Sequence, residues 1–160
     1  MQLCLVRHGI AAERGTYEND AERPLTERGR DRMAAAAEGL ATLLKPSMVL
    51  SSPLVRAMET AELISQATGI AVEYCDALAN GDHESLVAAA HRPIVIAVGH
   101  EPHISSFVSW AIGANHLPVE FKKGSAALLE FVGPPGPGEG TLVWFMPPRA
   151  LRQLRKAPVG

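Results

Sequence analysis

Short apolar runs alternate with longer segments of helical spacing along the chain, and this alternation is the feature that most constrains the fold. The runs of strand length cover residues 2–6, 48–50, 70–74, 94–98, 126–132 and 141–145. The first of them is continuously apolar, as expected for a strand that is covered on both faces. The pattern predicts an α/β protein, a three-layer α/β/α sandwich with a mostly parallel central sheet. A loop rich in glycine and proline joins the last two runs and predicts an antiparallel contribution at one edge.

Helix start and stop signals divide the rest of the chain. Thr26 predicts the N-cap of a helix over residues 27–44, whose alanines favour it and whose interior glycines weaken it. A second helix is expected to start at Ser52, with Pro53 at its first position, and to stop before Gly69. Further helices are predicted at residues 84–90 and after Pro102, and residues 76–83 are expected to form a loop.

Size and charge exclude several classes of function. The 160 residues predict a single domain, spanning residues 1–160, that can bury a core without disulfides. Fifteen Lys and Arg residues against 17 Asp and Glu leave a net charge of −2, so neither nucleic acid nor a membrane is an expected partner. The two isolated cysteines and the lack of a signal-peptide core predict a soluble, cytoplasmic protein.

Arginine and histidine residues follow three of the predicted strands. Arg7 and His8 come directly after the first strand, Arg56 lies in the helix after the second, and His100 follows the fourth. Because ligands of open α/β sheets bind outside the carboxyl ends of the strands, parallel neighbours would bring these groups together. Guanidinium groups match phosphate oxygens two at a time, so the expected ligand is phosphate.

A histidine among arginines suits nucleophilic catalysis. The neighbouring positive charges are expected to lower its pKa and leave one ring nitrogen free at neutral pH. Such a group can accept a phosphoryl group and pass it to water, while the arginines stabilise the transferred charge. This chemistry predicts no cofactor and no metal ion. The alternative is a metal site at His8, His100 and His103, which the adjacent arginines disfavour.

Four segments together resemble the successive motifs of the histidine phosphatase superfamily, in the order in which that family carries them. They are LVRHG at 5–9, PLTERG at 24–29, SSPLVRAMETA at 51–61 and VGHEP at 98–102. The resemblance implies a phosphoglycerate mutase-like fold in which His8 accepts the phosphoryl group and Arg7, Arg56 and His100 form the phosphate pocket. It also implies that Arg23 is a further arginine near the site.

The chain is most similar, within that superfamily, to the compact SixA-type phosphohistidine phosphatases of bacteria. Its short length, ERPLTERG at 22–29 and KKGSAALLEF at 122–131 carry this likeness. The resemblance implies a phosphohistidine-bearing protein of two-component or phosphotransfer type as the partner. A small phosphomonoester, such as a sugar or nucleotide phosphate, is the alternative substrate, and a non-catalytic phosphate-binding adaptor is a third possibility.

The acid found in mutase-like relatives has no clear counterpart here. The interval from residue 76 to 92, where those relatives resemble one another in carrying a lid, is short, and only Asp82 and Glu84 are candidates by position. Water is the other possible proton donor. An imidazole leaves with a conjugate acid of pKa about 6.5, whereas an alkoxide needs a proton from the enzyme. A phosphohistidine substrate therefore agrees with a weak or missing acid.

The remaining histidines and basic residues carry no motif. His83, His91 and His116 are expected at the surface, and Arg28, Arg30 and Arg32 are expected on a solvated helix face. The basic tail is a candidate docking strip; it contains Arg149, Arg152, Arg155 and Lys156. The sequence leaves the oligomeric state open.

Overall fold

A six-stranded sheet with helices on both faces forms the centre of the structure, a computed structural model that describes residues 1–116 and 119–155. The strands are β1 Gln2–Arg7, β2 Met48–Ser51, β3 Val72–Tyr74, β4 Ile94–Gly99, β5 Ala126–Phe131 and β6 Gly140–Met146. The helices are α1 Glu27–Leu43, α2 Val55–Thr68, α3 Ala77–Asn80, α4 His83–Ala89, α5 His103–Ile112 and α6 Pro148–Gln153.

The strand order in the sheet is β3-β2-β4-β1-β5-β6. The first four strands of this order are parallel, whereas β5 pairs with β1, and β6 with β5, in the antiparallel direction. This arrangement confirms the predicted α/β sandwich with a mostly parallel sheet and an antiparallel edge. It also makes β1, β4 and β2 parallel neighbours, so their carboxyl ends meet at one edge.

Two apolar clusters, one on each face of the sheet, make up the core. Alternate residues of β1 divide between them: Leu3 and Leu5 face the helices α3, α4 and α5, whereas Cys4 and Val6 face α1, α2 and α6. Successive side chains of a strand point to opposite faces, so a continuously apolar strand supplies both clusters. The two layers of helices hold the sheet between them. Within the described ranges, no helix combines the length and the apolar character that crossing a bilayer requires.

Two predicted starts and one predicted loop were wrong. Helix α2 begins at Val55 rather than at Pro53, because the Ser52 hydroxyl accepts a hydrogen bond from the Leu54 amide and closes a turn before the helix. Strand β3 begins at Val72, the residue that pairs with Val49, because pairing with β2 and not the apolar pattern sets its start. The region predicted as a loop holds the single-turn helix α3.

Helix α1 confirms its predicted cap and explains its interior glycines. The Thr26 hydroxyl accepts the Gly29 amide hydrogen at 2.9 Å. A Cβ atom at Gly29 would lie 2.0 Å from the Ile10 carbonyl oxygen, and one at Gly39 would lie 1.7 Å from the Leu151 carbonyl oxygen. Glycine at these positions lets the loop after β1 and helix α6 approach the backbone of α1.

Candidate active site

The register of the sheet brings the predicted histidines together. Arg7, the last residue of β1, pairs with Gly99, the last residue of β4. His8 and His100 therefore follow neighbouring strand ends, and the His8 amide donates to the Gly99 carbonyl at 3.1 Å. Their ring centroids lie 5.1 Å apart, and both side chains are buried.

The hydrogen bond of His8 fixes its tautomer. The Nδ1 atom lies 2.7 Å from the Gly9 carbonyl oxygen, which can only accept, so Nδ1 carries the hydrogen and donates it. In the neutral ring, Nε2 then keeps a free electron pair. This arrangement gives the ring the form that a nucleophile needs.

Burial is the main cause that lowers the pKa of His8 to about 3, and the charges of His100, Arg56 and Arg7 act in the same direction. The direction is the one expected from the sequence, but the cause differs. Loss of solvent contributes more than the like charges do, and the hydrogen bond to Gly9 acts in the opposite direction. The imidazole is consequently neutral throughout the physiological pH range.

A serine orients His100. Its Nε2 lies 2.7 Å from the Ser52 hydroxyl oxygen, which also accepts the Leu54 amide hydrogen. When the Ser52 hydroxyl donates to Nε2, the hydrogen of the neutral ring sits on Nδ1, a buried atom with no partner among the described residues. Burial, followed by the charge of Arg56, lowers the pKa of His100 to about 4. In that tautomer the ring is a neutral hydrogen-bond donor at Nδ1.

Asp20 holds two of the predicted arginines, Arg23 and Arg56. One carboxylate oxygen accepts from Arg23 Nε and the other from an Arg56 terminal nitrogen, each at 3.1 Å. The Asp20 carbonyl oxygen accepts a further Arg56 hydrogen at 3.0 Å. Hydrogen bonding from Arg23 and the positive charges of both arginines lower the pKa of Asp20. This aspartate, which lies in a 3₁₀ turn at Asp20–Glu22, orients both guanidinium groups.

A threonine ties the loop after β1 to helix α2. The Gly9 amide donates to the Thr60 hydroxyl oxygen at 3.0 Å, and that hydroxyl donates to the Arg56 carbonyl oxygen at 2.8 Å. Thr60 is fully buried. The segment that carries His8 and the helix that carries Arg56 are therefore joined directly.

A cavity of about 340 Å³ lies over these groups, and we call it the phosphate cavity. All five predicted site residues line it: Arg7, His8, Arg23, Arg56 and His100. Buried Nε atoms of Arg7 and Arg56 have no hydrogen-bond partner in the described part of the chain, and neither has Nδ1 of His100. Buried donors without partners cost free energy unless a ligand or water satisfies them. Together they suit a tetrahedral anion.

Positive charge dominates the walls of the phosphate cavity. Arg14 and Lys123 add to the three predicted arginines, against two carboxylates, Glu13 and Glu101. Burial and then the charges of four arginines lower the pKa of Lys123. The field of the cavity thus favours a multiply charged anion.

The two predicted acid candidates lie away from this cavity. Asp82 caps helix α4, where its carboxylate accepts from the Ser85 hydroxyl at 2.7 Å and from the Ser85 amide at 3.1 Å, and these hydrogen bonds lower its pKa. Neither Asp82 nor Glu84 lines the phosphate cavity. Glu101 does, and both of its carboxylate oxygens accept hydrogen bonds from Ser105. Asp82 and Glu84 therefore do not reach the cavity that the five predicted site residues line.

The expected surface histidines differ from one another. His91 and His116 are exposed, but His83 is half-buried, with its ring 5.4 Å from that of Phe107 and 5.3 Å from that of Trp110. In residues 1–116 and 119–155, no group of three His, Cys, Asp or Glu side chains is placed to hold a metal ion. The arrangement with His8, His100 and His103 is thus not formed.

Sequence reasoning missed Asp20 and Ser52, and it did not assign Lys123 to the site. Strand β5 is antiparallel to β1, so Lys123, which lies before β5, stands at the carboxyl end of β1. The sequence predicted an antiparallel edge but not this pairing. The Gly124 amide donates to the carbonyl oxygens of Arg7 and His8, which places this segment beside the site. Asp20 lies in a polar loop without periodicity, and the sequence carries no signal for it.

Comparison with known proteins agrees with this geometry. The model of the histidine phosphatase superfamily (branch 1) matches residues 3–95. An uncharacterised protein of Picosynechococcus is 36% identical over 129 residues, which are 73% of this chain and 78% of that protein.

Solved structures share the fold. The protein histidine phosphatase SixA, in complex with tungstate, is 26% identical with a TM-score of 0.79, and the alignment covers 94% of this chain and 99% of that one. The mycobacterial glucosyl-3-phosphoglycerate phosphatase, at 19% identity and a TM-score of 0.69, shares the fold over 89% of this chain and 96% of that one. The family match, the relative and the paired histidines lead to one conclusion: the chain belongs to the histidine phosphatase superfamily.

Proposed function

We propose that the protein is a phosphatase that works through a phosphohistidine at His8 and removes phosphate from phosphohistidine on another protein. The observation that carries the proposal is the neutral His8 ring with its free Nε2. His8 lines one cavity with Arg7, Arg56 and His100, which carry buried nitrogen atoms without a partner among the described residues. A nucleophile and an anion site in one cavity are the two parts that phosphoryl transfer needs.

In the first step, Nε2 of His8 attacks phosphorus, and the bond between phosphorus and the substrate imidazole breaks. Arg7, Arg56 and the Nδ1–H of His100 bind the oxygens of the transferred group and stabilise their charge. The other ring nitrogen of the substrate takes a proton from solvent before the bond breaks, so the ring leaves as neutral imidazole. In the second step, water attacks the phosphoryl group on His8, and inorganic phosphate and the neutral ring are released. The arginines supply the positive charge, so the reaction is expected to need no metal ion.

The leaving group favours phosphohistidine over an ester. The conjugate acid of imidazole has a pKa of about 6.5, so departure requires little help from an acid, whereas an alkoxide requires a proton. Of the two carboxylates at the cavity, Glu101 is engaged as an acceptor by Ser105, and Glu13 is exposed. The likeness to the protein histidine phosphatase SixA supports the same substrate class.

A small phosphomonoester is the second candidate. Glu13 and Glu101 both line the phosphate cavity, and a rotation of either side chain could bring a proton donor to an ester oxygen. A panel of sugar and nucleotide phosphates, compared with a phosphohistidine peptide by kcat/KM, separates the two substrates. Higher kcat/KM on any ester would favour the second candidate.

The test is to trap the intermediate. Incubation with a ³²P-labelled phosphohistidine donor in the presence of EDTA should give an acid-labile phosphoenzyme that decays to inorganic phosphate. His8→Ala should form none, and His8→Asn, which is closer in shape, guards against loss of folding in the first variant. His91→Ala, which changes an exposed histidine, should behave as wild type.

Two results would contradict the proposal. Labelling of His8→Ala at the wild-type level would mean that another group accepts the phosphoryl group. Tight binding of vanadate without turnover of any phosphoramidate or phosphate ester would instead indicate an adaptor that only binds phosphate.

A further inference from the structure

A second cavity of about 340 Å³ lies between α1, α6 and the segment before β5. Its floor is apolar, from Ile10, Met33 and Pro148, and its rim carries Arg32, Lys122 and Arg152. We call it the basic groove. The assigned chemistry at His8 uses none of these six residues.

Glu120 also lines the basic groove, but among the described residues it forms no ion pair with the rim cations. In the described part of the chain, no carboxylate lies within ion-pair distance of Arg32, Lys122 or Arg152. Burial and then the charges of Arg32, Arg149 and Arg28 lower the pKa of Arg152, which shows that four guanidinium groups share this side of the molecule. In a chain of net charge −2, this concentration of positive charge marks a surface for an anionic partner.

The basic groove adjoins the phosphate cavity. Arg7 and Lys123 line both of them. A macromolecule that presents a phosphoryl group to His8 therefore has its neighbouring residues within reach of the rim. The backbone of this boundary is held in place, since the Gly124 amide is bonded to the carbonyl oxygens of Arg7 and His8.

We propose that the basic groove binds an acidic segment of the phosphoprotein substrate, next to the phosphohistidine. This inference rests on the proposed function and names the feature by which the substrate is selected. A small ligand would need fixed polar groups to orient it, and such groups are absent from the floor residues Ile10, Met33 and Pro148. Charges on long side chains around an apolar floor fit carboxylates on a partner surface instead.

The test uses three phosphohistidine substrates. Two are synthetic peptides of equal length, in which the phosphohistidine is flanked by glutamates in one and by glutamines in the other, and the third is free phosphohistidine. At low ionic strength, wild-type kcat/KM should be about tenfold higher on the glutamate peptide than on the glutamine peptide. High salt should reduce this preference, because the rim charges are exposed to solvent.

The double variant Arg32→Glu with Arg152→Glu should lose the preference and keep its kcat/KM on free phosphohistidine within about twofold. The matched control is Lys45→Glu with Arg92→Glu, which makes the same change in net charge at exposed residues outside both cavities. That control should keep most of the preference.

The outcomes distinguish the two proposals. Similar wild-type rates on all three substrates, or equal losses in the two double variants, would overturn the role of the basic groove and leave the phosphatase proposal standing. A loss on free phosphohistidine as large as that on the glutamate peptide would also overturn it, because the rim would then act only through the field at His8. Failure of the wild-type protein to hydrolyse any of the three would defeat the proposed function itself, and the groove's role with it.

Discussion

The phosphate cavity and the basic groove have the same volume and share two residues, yet they use positive charge in opposite ways. In the phosphate cavity the guanidinium of Arg56 is buried, oriented by Asp20 and left with an unpartnered donor. In the basic groove Arg32 is exposed and has no partner within the described ranges. The first arrangement suits one anion in one geometry, and the second suits anionic groups in many geometries.

The two cavities show where buried and exposed positive charges act. A buried, oriented donor is worth far more to a developing charge than an exposed one, because water screens the exposed group. Exposed cations instead change the rate at which two partners meet and the choice of partner. Each of the following predictions changes one of the two cavities and uses the other as its reference.

The largest effect is expected at Arg56. Arg56→Ala should raise the barrier to phosphoryl transfer by about 2 to 4 kcal/mol, which lowers kcat/KM on free phosphohistidine roughly 30- to 1000-fold. Arg32→Ala, the matched change in the basic groove, should alter the same rate by less than about threefold. Arg56→Lys, which keeps the charge, and a thermal melt of each variant separate lost chemistry from lost folding. Equal losses at the two positions would contradict the comparison.

The next effect concerns stability against pH. His8 and His100, with pKa values of about 3 and 4 in the folded protein, stay neutral at pH 5, whereas unfolded histidines with a pKa of about 6.5 take up protons. The unfolded state therefore binds more protons, and the free energy of unfolding falls as the pH drops below 6.5. Each histidine should contribute a loss of about 2 kcal/mol between pH 7 and pH 5.

Urea unfolding at the two pH values measures this loss. The double variant His8→Ala with His100→Ala should show a smaller drop than wild type, and His91→Ala, at an exposed site, should match wild type. An unchanged drop in the double variant would mean that other groups carry the pH dependence.

A smaller effect is expected where α6 meets α1. A Cβ atom at Gly39 would lie 1.7 Å from the Leu151 carbonyl oxygen, so Gly39→Ala should push α6, with Arg152, away from α1. We expect a loss of about 1 to 3 kcal/mol in the free energy of unfolding. The preference for the glutamate peptide should weaken, while turnover of free phosphohistidine should not change.

Gly133→Ala is the control for this variant, because nothing lies within 4 Å of a Cβ atom there. It should leave both stability and substrate preference at wild-type values. A similar loss of free phosphohistidine turnover in Gly39→Ala would show that the two cavities are not independent.

The sheet and the grouping of the site residues could be predicted from the sequence. A continuously apolar strand such as β1 must be covered on both faces, and Arg7, His8 and His100 stand directly at strand ends, where parallel pairing brings them together. Local patterns carry this information, because strand direction and side-chain alternation are properties of short segments.

Side-chain hydrogen bonds between distant segments could not be predicted. Asp20 contacts Arg56, which lies 36 positions further along the chain, and Ser52 contacts His100, which lies 48 positions further. No periodic pattern in the sequence indicates either contact. The start of β3 depends on pairing with β2, and the basic groove exists only because α6 packs against Gly39 of α1. The basic tail contributes Arg152 to the groove, while Lys156 lies outside the described residues.

The buried Thr60 hydroxyl bridges the Gly9 amide and the Arg56 carbonyl. This bridge affects the entropy cost of the proposed reaction. Through it, the segment of His8, the proposed nucleophile, is joined to the helix of Arg56 during folding. An arriving phosphoryl group then spends none of its binding energy on assembling the two, and that energy remains for the transition state.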